Sequence, residues 1–582
     1  MLPEIESLSL AEQVAQMFVV RASGHLFDHQ IEFPAWEPPA AKLRHWLQDL
    51  GVGGVILVGG SAGDLRLRSH QLQSWAKFPL LIAADVEEGV GQRFAGATWF
   101  PPPMALSYIE QQSPGQGQHY AELLGGFIAQ ESLAIGINWV LAPVVDVNNN
   151  PENPVIDVRS FGETPAMASL LTTAFLQGAR QWPVLTCAKH FPGHGDTSVD
   201  SHLDLPVLPH SRERLAEIEL PPFASAIGAG VDAVMSAHLV IPAWDDSGPA
   251  TLSPQILTGE LRQNLGFEGL IVTDALVMGA IANRYDPLEA PILALEAGAD
   301  ILLMPVDPAG AIESICAAVN SGRISPERIR ASVERIWRAK QKIFHVEEAP
   351  SPPTPLPGRE RGEVLSGSPF PPFGGKGLGD RGKSPHPPSP PTPLPGRERG
   401  EEEEDFLASS LSQLATPAAT SAAAEMLRAS LRVGGPVPLP AQGQGLRNLI
   451  LVDDTLRCGF LGHHVPAIAY PEKLGYQWQL FDRDTIPALL AASSNDDPPT
   501  LLQIFIRGNP FRGTAGLSQA AEKLVTNLLE KRQLQALVIY GSPYTLDKFL
   551  PDLPPEVPYA FSYGQMPLAQ DIVLKSLFES PK

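Results

Sequence analysis

Cysteine is scarce in this chain, and the distribution of the cysteines argues against a disulfide-stabilised protein. Cys187, Cys316 and Cys458 lie far apart among 582 residues, and their number is odd. Small domains that depend on disulfides carry an even set of closely spaced cysteines, so no disulfide framework is expected here. The scarcity favours a reducing compartment, and we expect a cytoplasmic protein.

Long apolar runs are also missing. No apolar stretch approaches the roughly 20 residues that a bilayer-spanning helix needs, so no membrane span is expected. Residues 1–6 (MLPEIE) are acidic, with no basic segment leading into an apolar core, and we expect no secretory signal.

Basic residues are fewer than acidic residues. The 42 Lys and Arg residues stand against 64 Asp and Glu, and the formal net charge is -22. A general basic surface for nucleic acid is therefore excluded, although a local basic pocket is not. The apolar share of 44% is that of a globular protein, and 582 residues are too many for one core, so two or three domains are expected.

Apolar runs of strand length recur through the first 345 residues. They are separated by amphipathic segments such as 254–265, and they lie at residues 17–20, 54–58, 80–85, 137–147, 184–189, 231–238, 270–274 and 300–304. Strands that are apolar throughout are buried on both faces, as in a parallel sheet. About eight alternations of strand and helix predict a (β/α)8 barrel of the TIM type, with an open doubly wound sheet as the alternative.

Ionisable residues stand at the carboxyl ends of four of these runs. Asp85 ends the third run, Lys189 ends the fifth and is followed by His190, His238 ends the sixth and Asp274 the seventh. The carboxyl ends of barrel strands share one face, where catalytic residues gather. Residues far apart in the chain are thus predicted to converge on one site.

The densest group of ionisable residues is the segment 189–202 (KHFPGHGDTSVDSH). It holds one lysine, three histidines and two aspartates in a loop broken by glycine and proline. Packing does not require so many ionisable groups, and a loop held on a rigid strand commonly carries catalytic residues. The alternative is a polar loop whose histidines are only solvated.

Composition changes abruptly after a helix predicted at 326–344. Residues 347–404 are dominated by Pro, Gly, Ser and charged residues, and the segment SPPTPLPGRERG occurs twice, at 351–362 and 389–400. Such a stretch cannot bury a core, so we predict a disordered linker, with a proline-rich docking site as the alternative. The linker would join a catalytic domain, residues 1–346, to an accessory domain, residues 405–582.

The accessory domain is predicted as a smaller α/β sandwich. Strands are expected at 448–452, 501–506 and 536–540, and helices at 518–532 and 567–578. No convergent acid–base set is apparent there, so a structural or oligomerisation role is expected.

The segment 189–202 resembles the signature of the bacterial β-N-acetylglucosaminidases of glycoside hydrolase family 3, KHFPGHG-x-T-x-x-DSH. Further segments are similar to the same family, at 157–162 (DVRSFG), 235–238 (MSAH), 252–274 (LSPQILTGELRQNLGFEGLIVTD) and 297–300 (AGAD). The resemblance covers essentially all of the first 345 residues. The tail resembles the family's accessory α/β domain less specifically.

One motif departs from the family pattern. Where the family usually shows D-x-E-G-G-x-V-x-R, this chain has DVEEGVGQR at residues 85–93. Glu88 replaces a Gly and Gly91 replaces the Val, while Asp85 and Arg93 are retained. The resemblance therefore implies that Asp85 and Arg93 keep their roles in sugar binding.

The resemblance implies a retaining mechanism with Asp274 as the nucleophile. Retaining glycosidases pair such a carboxylate with an acid–base group, and here the resemblance assigns that role to His202, assisted by Asp200. In an extended loop residues i and i+2 point the same way, so Asp200 could orient the His202 ring and favour its imidazolium form. Cations such as Lys189 or Arg159 are expected to keep Asp274 ionised. The alternatives are a helix-capping Asp274 and an idle, solvated His202.

Binding of the sugar hydroxyls is implied for five residues, Asp85, Arg93, Arg159, Lys189 and His190. We expect His194 to shape the loop, and His238 to lie behind the residues that touch the sugar. No cofactor and no metal is expected.

The predicted function is that of a cytoplasmic exo-β-N-acetylglucosaminidase (β-N-acetylhexosaminidase). Its carbohydrate partner would be a glycan with terminal β-linked N-acetylglucosamine, derived from peptidoglycan fragments. The alternatives are a β-glucosidase or a β-N-acetylglucosaminide phosphorylase on the same fold, and a non-enzymatic carbohydrate-binding protein. A metal-dependent hydrolase using His190, His194, His202 and aspartates as ligands is a further alternative, although no HExxH motif or cysteine pair supports it.

Overall fold

The computed structural model describes residues 2–344, 411–439, 445–455, 458–492, 497–508 and 514–580. The predicted linker, residues 347–404, and both of its predicted boundaries lie outside the described residues. The parts of the chain described before and after it belong to one compact unit.

Eight parallel strands form the sheet of the first domain. In chain order they are β1 (Phe18–Ser23), β2 (Gly54–Val58), β3 (Leu81–Ala84), β4 (Trp139–Val140), β5 (Leu185–Phe191), β6 (Ala233–Ser236), β9 (Leu270–Thr273) and β10 (Leu302–Leu303). The short strands β7 (Val240–Ile241) and β8 (Asp245–Pro249) pair with each other in a separate hairpin. The order in the large sheet is β10-β1-β2-β3-β4-β5-β6-β9.

The two ends of this sheet meet. β10 pairs with β1, and a bridge between Val272 and Ile301 links β9 to the segment that enters β10. The amide of Thr273 also donates to the carbonyl of Ile301 at 3.0 Å. The sheet is thus a nearly closed barrel, as predicted, and the alternative of an open doubly wound sheet is wrong.

Helices connect the barrel strands and bury their apolar faces against them. They are α1 (Leu10–Ala15), α2 (Ala40–His45), α3 (Ala62–Trp75), α4 (Met104–Gln112), α5 (Gln116–Ala134), α6 (Pro165–Ala179), α7 (Arg212–Glu217), α8 (Leu220–Gly228), α9 (Gly279–Ala282), α10 (Glu289–Ala297), α11 (Pro308–Asn320) and α12 (Pro326–Phe344). The helix predicted at 254–265 is instead a π-helical segment, Gln255–Asn264. Among the described residues, none of the helices combines the length and the apolar composition that crossing a bilayer requires.

The fourth strand is much shorter than its apolar run, which spans 137–147. Only Trp139–Val140 form β4, because Pro143 lacks the amide hydrogen that a ladder requires. The backbone stays bonded to β5 past this point, since the carbonyls of Ala142 and Pro143 accept from the amides of Cys187 and Lys189 and Val144 bridges to Lys189. The rest of this run is therefore a buried loop at the carboxyl end of the barrel.

The second domain has a six-stranded sheet. Its strands are β11 (Arg432–Gly434), β12 (Leu446–Leu451), β13 (Tyr476–Phe481), β14 (Thr500–Ile506), β15 (Leu534–Gly541) and β16 (Tyr559–Ser562), in the order β11-β16-β15-β14-β12-β13. Its described helices are α13 (Pro417–Ala429), α14 (Pro466–Lys473), α15 (Ile486–Ala492), α16 (Gln519–Glu530), α17 (Pro543–Phe549) and α18 (Pro567–Phe578). β11 is antiparallel to its neighbour, and the other pairs are parallel.

The central strands of this sheet are apolar on both faces. Leu502 and Ile504 of β14 belong to one buried cluster, whereas Leu501 and Phe505 of the same strand belong to another on the opposite face. Helices therefore cover both faces, which gives the α/β sandwich that was predicted. The strands β11, β13 and β16 are not among those predicted, because they are short or, in β13, interrupted by polar residues.

Asp300 holds the seam at which the barrel closes. Its buried carboxylate accepts hydrogen bonds from the amide of Ile271 at 3.0 Å and from Arg262 Nη2 at 2.7 Å. Ser332 Oγ and Arg335 Nη1 bind the other oxygen at 2.6 and 3.0 Å. One buried charge thus fixes the start of β9, the entry to β10 and helix α12 together.

Replacing Asp300 by Ala should lower the free energy of unfolding by about 3–5 kcal/mol, because it leaves partly buried arginines without their counter-charge. Urea unfolding followed by tryptophan fluorescence measures this loss. The exposed Asp246 provides a matched control, and Asp246→Ala should change stability by no more than about 0.5 kcal/mol. Equal stability of the two variants would contradict the proposed role of Asp300.

Candidate active site

A cavity of 1010 Å³ lies at the carboxyl ends of the barrel strands. Seven of the residues predicted for the site line it, namely Asp85, Arg93, Arg159, Lys189, His190, His202 and Asp274. The remaining one, Asp200, is buried behind His202 and contacts its ring. The structure therefore brings together residues that are up to 189 positions apart in the sequence, Asp85 and Asp274.

Lys189, on β5, is buried between two carboxylates. Its Nζ lies 2.7 Å from Asp85 Oδ1 and 2.6 Å from Glu87 Oε1. Arg159 binds both oxygens of Glu87, through Nε and Nη2 at 2.8 Å each. Burial alone would raise the pKa of Glu87, but Arg159 and Lys189 hold it well below its usual range. The cluster stays ionised and fixes Asp85, whose side chain is 32% exposed, at the cavity wall.

The loop after β3, residues 85–93, is held by side-chain contacts at Glu88 and at Arg93. Glu88, which replaces a glycine, is buried and accepts from Arg507 Nη2 of the second domain at 2.6 Å and from Trp99 Nε1 at 3.0 Å. Arg93 is exposed, and its Nε donates to the backbone carbonyl of Asp85 at 3.0 Å. The substitution of Glu88 for glycine therefore adds a link between the two domains.

Asp146 organises the loop that follows β5. Its buried carboxylate contacts Nδ1 of His190 at 2.8 Å and accepts from the amide of His194 at 2.7 Å. Burial alone would raise the pKa of Asp146, but the contact with His190 and the hydrogen bond from the His194 amide lower it. Asp146 is not among the residues predicted from the sequence. It stands near the end of an apolar run, as Asp85 and Asp274 do, so the same rule would have found it.

His194 uses both ring nitrogens inside its own loop. Nδ1 lies 2.8 Å from Thr197 Oγ1, and Nε2 lies 2.9 Å from Ser201 Oγ. Burial lowers the pKa of His194 to about 4, so the ring is neutral at physiological pH. It holds the loop in shape and has no nitrogen left for a metal. In the described part of the chain, no group of three or more His, Cys, Asp or Glu side chains is arranged to hold a metal ion.

Asp200 and His202 are in contact. His202 Nδ1 lies 2.9 Å from Asp200 Oδ1, and the His202 amide donates to the same oxygen at 2.9 Å. The backbone is not the extended loop that was expected. It is an Asx turn, in which an aspartate side chain accepts from the amide two residues later, and this turn brings the carboxylate to the ring.

The turn with His202 is docked on the segment that follows Asp274. The amides of Gly279 and Ala280 donate to the carbonyls of His202 and Ser201 at 3.2 and 3.3 Å. A Cβ atom at Gly279 would lie 2.8 Å from the His202 carbonyl oxygen, so this close approach requires glycine. The backbone contact positions His202 and Asp274 at the same cavity.

Asp274 follows β9 and is half-buried, with Oδ1 accepting from the Ala275 amide at 2.7 Å. Burial alone would raise its pKa, but the neighbouring imidazoles of His238, His190 and His202 and the Ala275 amide together lower it. The cations expected for this effect, Lys189 and Arg159, are instead bound by the carboxylates of the loop after β3. Asp274 does not cap a helix either, since α9 begins at Gly279, five residues later.

His238 lies behind Asp274, as expected. Its Nε2 lies 3.1 Å from the carbonyl of Ala275, and its Nδ1 lies 2.8 Å from Thr251 Oγ1. Burial lowers the pKa of His238. Because a carbonyl can only accept, Nε2 carries a proton.

The second domain also lines the cavity, which was not predicted. Its contribution includes Asp454, Phe460, Phe505 and Arg507. Arg507 follows the parallel strand β14, so it occupies the same kind of position as Asp85 after β3. Its position at the carboxyl end of a parallel strand could therefore be predicted from the sequence. The sequence of one domain does not show, however, which edge of its sheet faces the other domain.

Two family models match the chain. The model of the glycosyl hydrolase family 3 N terminal domain matches residues 9–339, which is more than half of the chain. The chain belongs to glycosyl hydrolase family 3. The model of the bacterial glycosyl hydrolase family 3 C-terminal domain matches residues 440–579. The family expected from the motifs is thereby confirmed.

Several named proteins are similar to this chain. Beta-hexosaminidase A of Pseudoalteromonas piscicida is 38% identical over 337 residues, 53% of this chain and 56% of that protein. Beta-N-acetylglucosaminidase/beta-glucosidase of Cellulomonas fimi is 32% identical over 311 residues, 52% of this chain and 54% of that protein. The matched segment thus spans about half the length of these two relatives. A solved family 3 β-N-acetylglucosaminidase from Paenibacillus sp. str. FPU-7 is 27% identical, with a TM-score of 0.72, and the match covers 98% of this chain and 97% of that one.

Asp157 connects the barrel to the second domain beside the cavity. Its buried carboxylate accepts from the Gly508 amide at 2.5 Å and from Ser542 Oγ at 3.3 Å. Its φ of 41° is left-handed, a conformation that Asp and Asn tolerate better than most residues. Burial raises the pKa of Asp157 from 3.8 to about 6.

Because this pKa is raised by folding, the contribution of Asp157 to stability is fully present below pH 3.8 and is lost as the pH rises through about 6. Asp157→Asn keeps an acceptor for Gly508 and the left-handed backbone without a charge. It should be more stable than the wild type at pH 8, by up to about 3 kcal/mol, and the difference should shrink at pH 5. Urea unfolding at both pH values measures this, with Asp246→Asn as the exposed control. A pH-independent difference would contradict the prediction.

Proposed function

We propose that this chain is a retaining exo-β-N-acetylglucosaminidase, which hydrolyses terminal β-linked N-acetylglucosamine. The proposal rests on one observation above all. An ionised carboxylate, Asp274, shares a cavity with a histidine, His202, whose Nδ1 contacts the buried Asp200. The names of the relatives, β-hexosaminidase and β-N-acetylglucosaminidase, support the same activity.

In the first chemical step Asp274 attacks the anomeric carbon. Oδ1 is held by the Ala275 amide, which leaves Oδ2 to form the bond to C1. His202, as the imidazolium, donates the proton on Nε2 to the glycosidic oxygen while the bond from C1 to that oxygen breaks. The Asp200 carboxylate, 2.9 Å from Nδ1, holds the ring in place for this transfer.

In the second step the covalent glycosyl–Asp274 ester is hydrolysed. His202 is now neutral and accepts a proton from water as the water oxygen attacks C1. The ester bond breaks, the sugar leaves with its β configuration retained, and Asp274 and the imidazolium are regenerated. A low pKa suits Asp274 to both steps, because the carboxylate must be ionised to attack and must leave as an anion.

The sugar hydroxyls are assigned to the charged and histidine side chains that line the cavity around Lys189. Asp85 would accept hydrogen bonds from hydroxyl groups, and the cations would donate to their oxygens. The residues assigned to this role are Asp85, Arg93, Arg159, Lys189 and His190. The burial of Lys189 and His190 supports the assignment, since it places them where a terminal sugar would be enclosed.

A β-glucosidase is the second candidate, because the relative from Cellulomonas fimi carries both activities in its name. The natural source of the sugar in peptidoglycan fragments and a cytoplasmic location are further proposals, which rest on the resemblance of the motifs. The choice of water rather than phosphate as the acceptor is also part of the proposal.

The wild type should cleave p-nitrophenyl N-acetyl-β-D-glucosaminide faster than p-nitrophenyl β-D-glucoside. EDTA and phosphate should change neither rate. Asp274→Asn should lower kcat by about a thousandfold or more, because an amide oxygen is a poor nucleophile and a poor leaving group. The release of p-nitrophenol measures all of these rates.

Asp246→Asn makes the same chemical change on the exposed hairpin and should leave the rates unchanged. Full activity of Asp274→Asn would refute the assigned nucleophile. Faster cleavage of the glucoside would favour the β-glucosidase, a requirement for phosphate would favour a phosphorylase, and inhibition by EDTA would favour a metal-dependent hydrolase.

A further inference from the structure

Three polar side chains are buried directly behind Asp274. They are Ser236, the last residue of β6, His238, two residues later, and Thr251, in the turn Ala250–Leu252 that follows β8. All three are completely buried, and none of the three lines the cavity. They cannot touch a sugar there, so any part that they play in catalysis must pass through another residue.

Thr251 joins the other two side chains. Its Oγ1 lies 2.9 Å from Ser236 Oγ, 2.8 Å from His238 Nδ1 and 3.0 Å from the carbonyl oxygen of Ala237. His238 in turn reaches Ala275, whose carbonyl oxygen lies 3.1 Å from Nε2. Nε2 donates to this carbonyl whether the ring is neutral or charged, and a hydroxyl can either donate to Nδ1 or accept from it. The contacts are therefore compatible with both protonation states of His238.

These contacts form a closed circuit of hydrogen bonds around the nucleophile. Ala275 accepts from His238 through its carbonyl and donates through its amide to Asp274 Oδ1 at 2.7 Å. The Asp274 amide donates to the carbonyl of Ser236 at 3.2 Å, and the Ser236 hydroxyl contacts Thr251. Five residues from three segments thus make up the circuit, and turning the Asp274 carboxylate breaks one of its bonds.

Packing alone does not require the polar groups of this circuit. The backbones of β6 and β9 are already paired as far as Ser236 and Thr273. Burying a hydroxyl or an imidazole costs free energy that apolar side chains of the same shape would avoid. The polar groups become useful one residue further on, where Asp274 and Ala275 leave the ladder and need another support.

We propose that Thr251 and His238 are positioning residues for the nucleophile. Acting through Ala275, they hold Oδ1 of Asp274 so that Oδ2 is presented to the anomeric carbon. This inference rests on the proposed function and adds two residues that do not contact the substrate. Because a small displacement of a reacting atom is costly in rate, their loss should affect the chemical steps rather than sugar binding.

Two substitutions of Thr251 separate its hydroxyl from its shape. Thr251→Val keeps the shape without the hydroxyl, and it should lower kcat for p-nitrophenyl N-acetyl-β-D-glucosaminide by about tenfold. Thr251→Ser keeps the hydroxyl and should stay within about threefold of the wild type. The inhibition constant of N-acetylglucosamine, which reports sugar binding, should change by less than about twofold in both variants.

Two substitutions of His238 test the contact with Ala275. The amide nitrogen of Gln can take the place of Nε2 and donate to the carbonyl, whereas that of Asn lies near the place of Nδ1 and is too far away. His238→Asn should lower kcat by about thirtyfold and His238→Gln by about fivefold or less. The loss should be incomplete, because the amide of Met278 also donates to the Ala275 carbonyl, at 3.0 Å.

Thr172→Val is the matched control. Thr172, on α6, is equally buried, and in the described part of the chain its hydroxyl has no hydrogen-bond partner. The same chemical change there should leave kcat and the inhibition constant unaltered. Thermal unfolding shows which variants are folded at the assay temperature, and if Thr251→Val is not, the two His238 variants decide the proposal.

Equal kcat values for Thr251→Val and Thr251→Ser, or for His238→Asn and His238→Gln, would overturn the positioning role while leaving the proposed function intact. A rise of the inhibition constant in parallel with the fall of kcat would also overturn it, since the whole site would then be disordered. A wild type that does not cleave the substrate would instead overturn the proposed function, and the positioning role with it.

Discussion

A buried lysine shared by two carboxylates is the interaction on which the site depends. Removing a lysine from water costs several kcal/mol unless opposite charge compensates it, so β5 can carry Lys189 only because Asp85 and Glu87 reach it from the loop after β3. Arg159 balances the second carboxylate and completes the cluster. Three distant segments are thus fixed by charge, and Asp85 is left facing the cavity with a defined orientation.

The same segments also bind the second domain. Glu88, next to Glu87, pairs with Arg507, and Asp157, two residues before Arg159, accepts from the amide of Gly508. Displacing the second domain would leave the buried Glu88 without its cation, which is costly. The position of the second domain and the geometry of the charged cluster are therefore coupled through neighbouring residues of the same two loops.

Much of the barrel fold and of the site could be predicted from the sequence. Strands buried on both faces appear as continuous apolar runs, and the carboxyl ends of parallel strands lie at one face of the barrel. The features that were not predicted depend on tertiary contacts. The shortening of β4 at Pro143 and the Asx turn at Asp200 are local choices that a run of apolar or polar residues does not specify. Asp146 lies near the carboxyl end of an apolar run, as the other site residues do, but it was not among the predicted site residues. Arg507 acts across a domain contact, and no pattern within one domain shows which edge will meet the other.

The most direct measurement is to trap the intermediate on the full chain with 5-fluoro-N-acetyl-β-D-glucosaminyl fluoride. The second fluorine slows hydrolysis of the ester, so intact mass spectrometry should show one added 5-fluoro-N-acetylglucosaminyl group, and peptide mapping should place it on Asp274. An adduct on another carboxylate would contradict the assigned nucleophile. Turnover that releases an oxazoline, without any adduct, would show that the acetamido group of the substrate attacks instead.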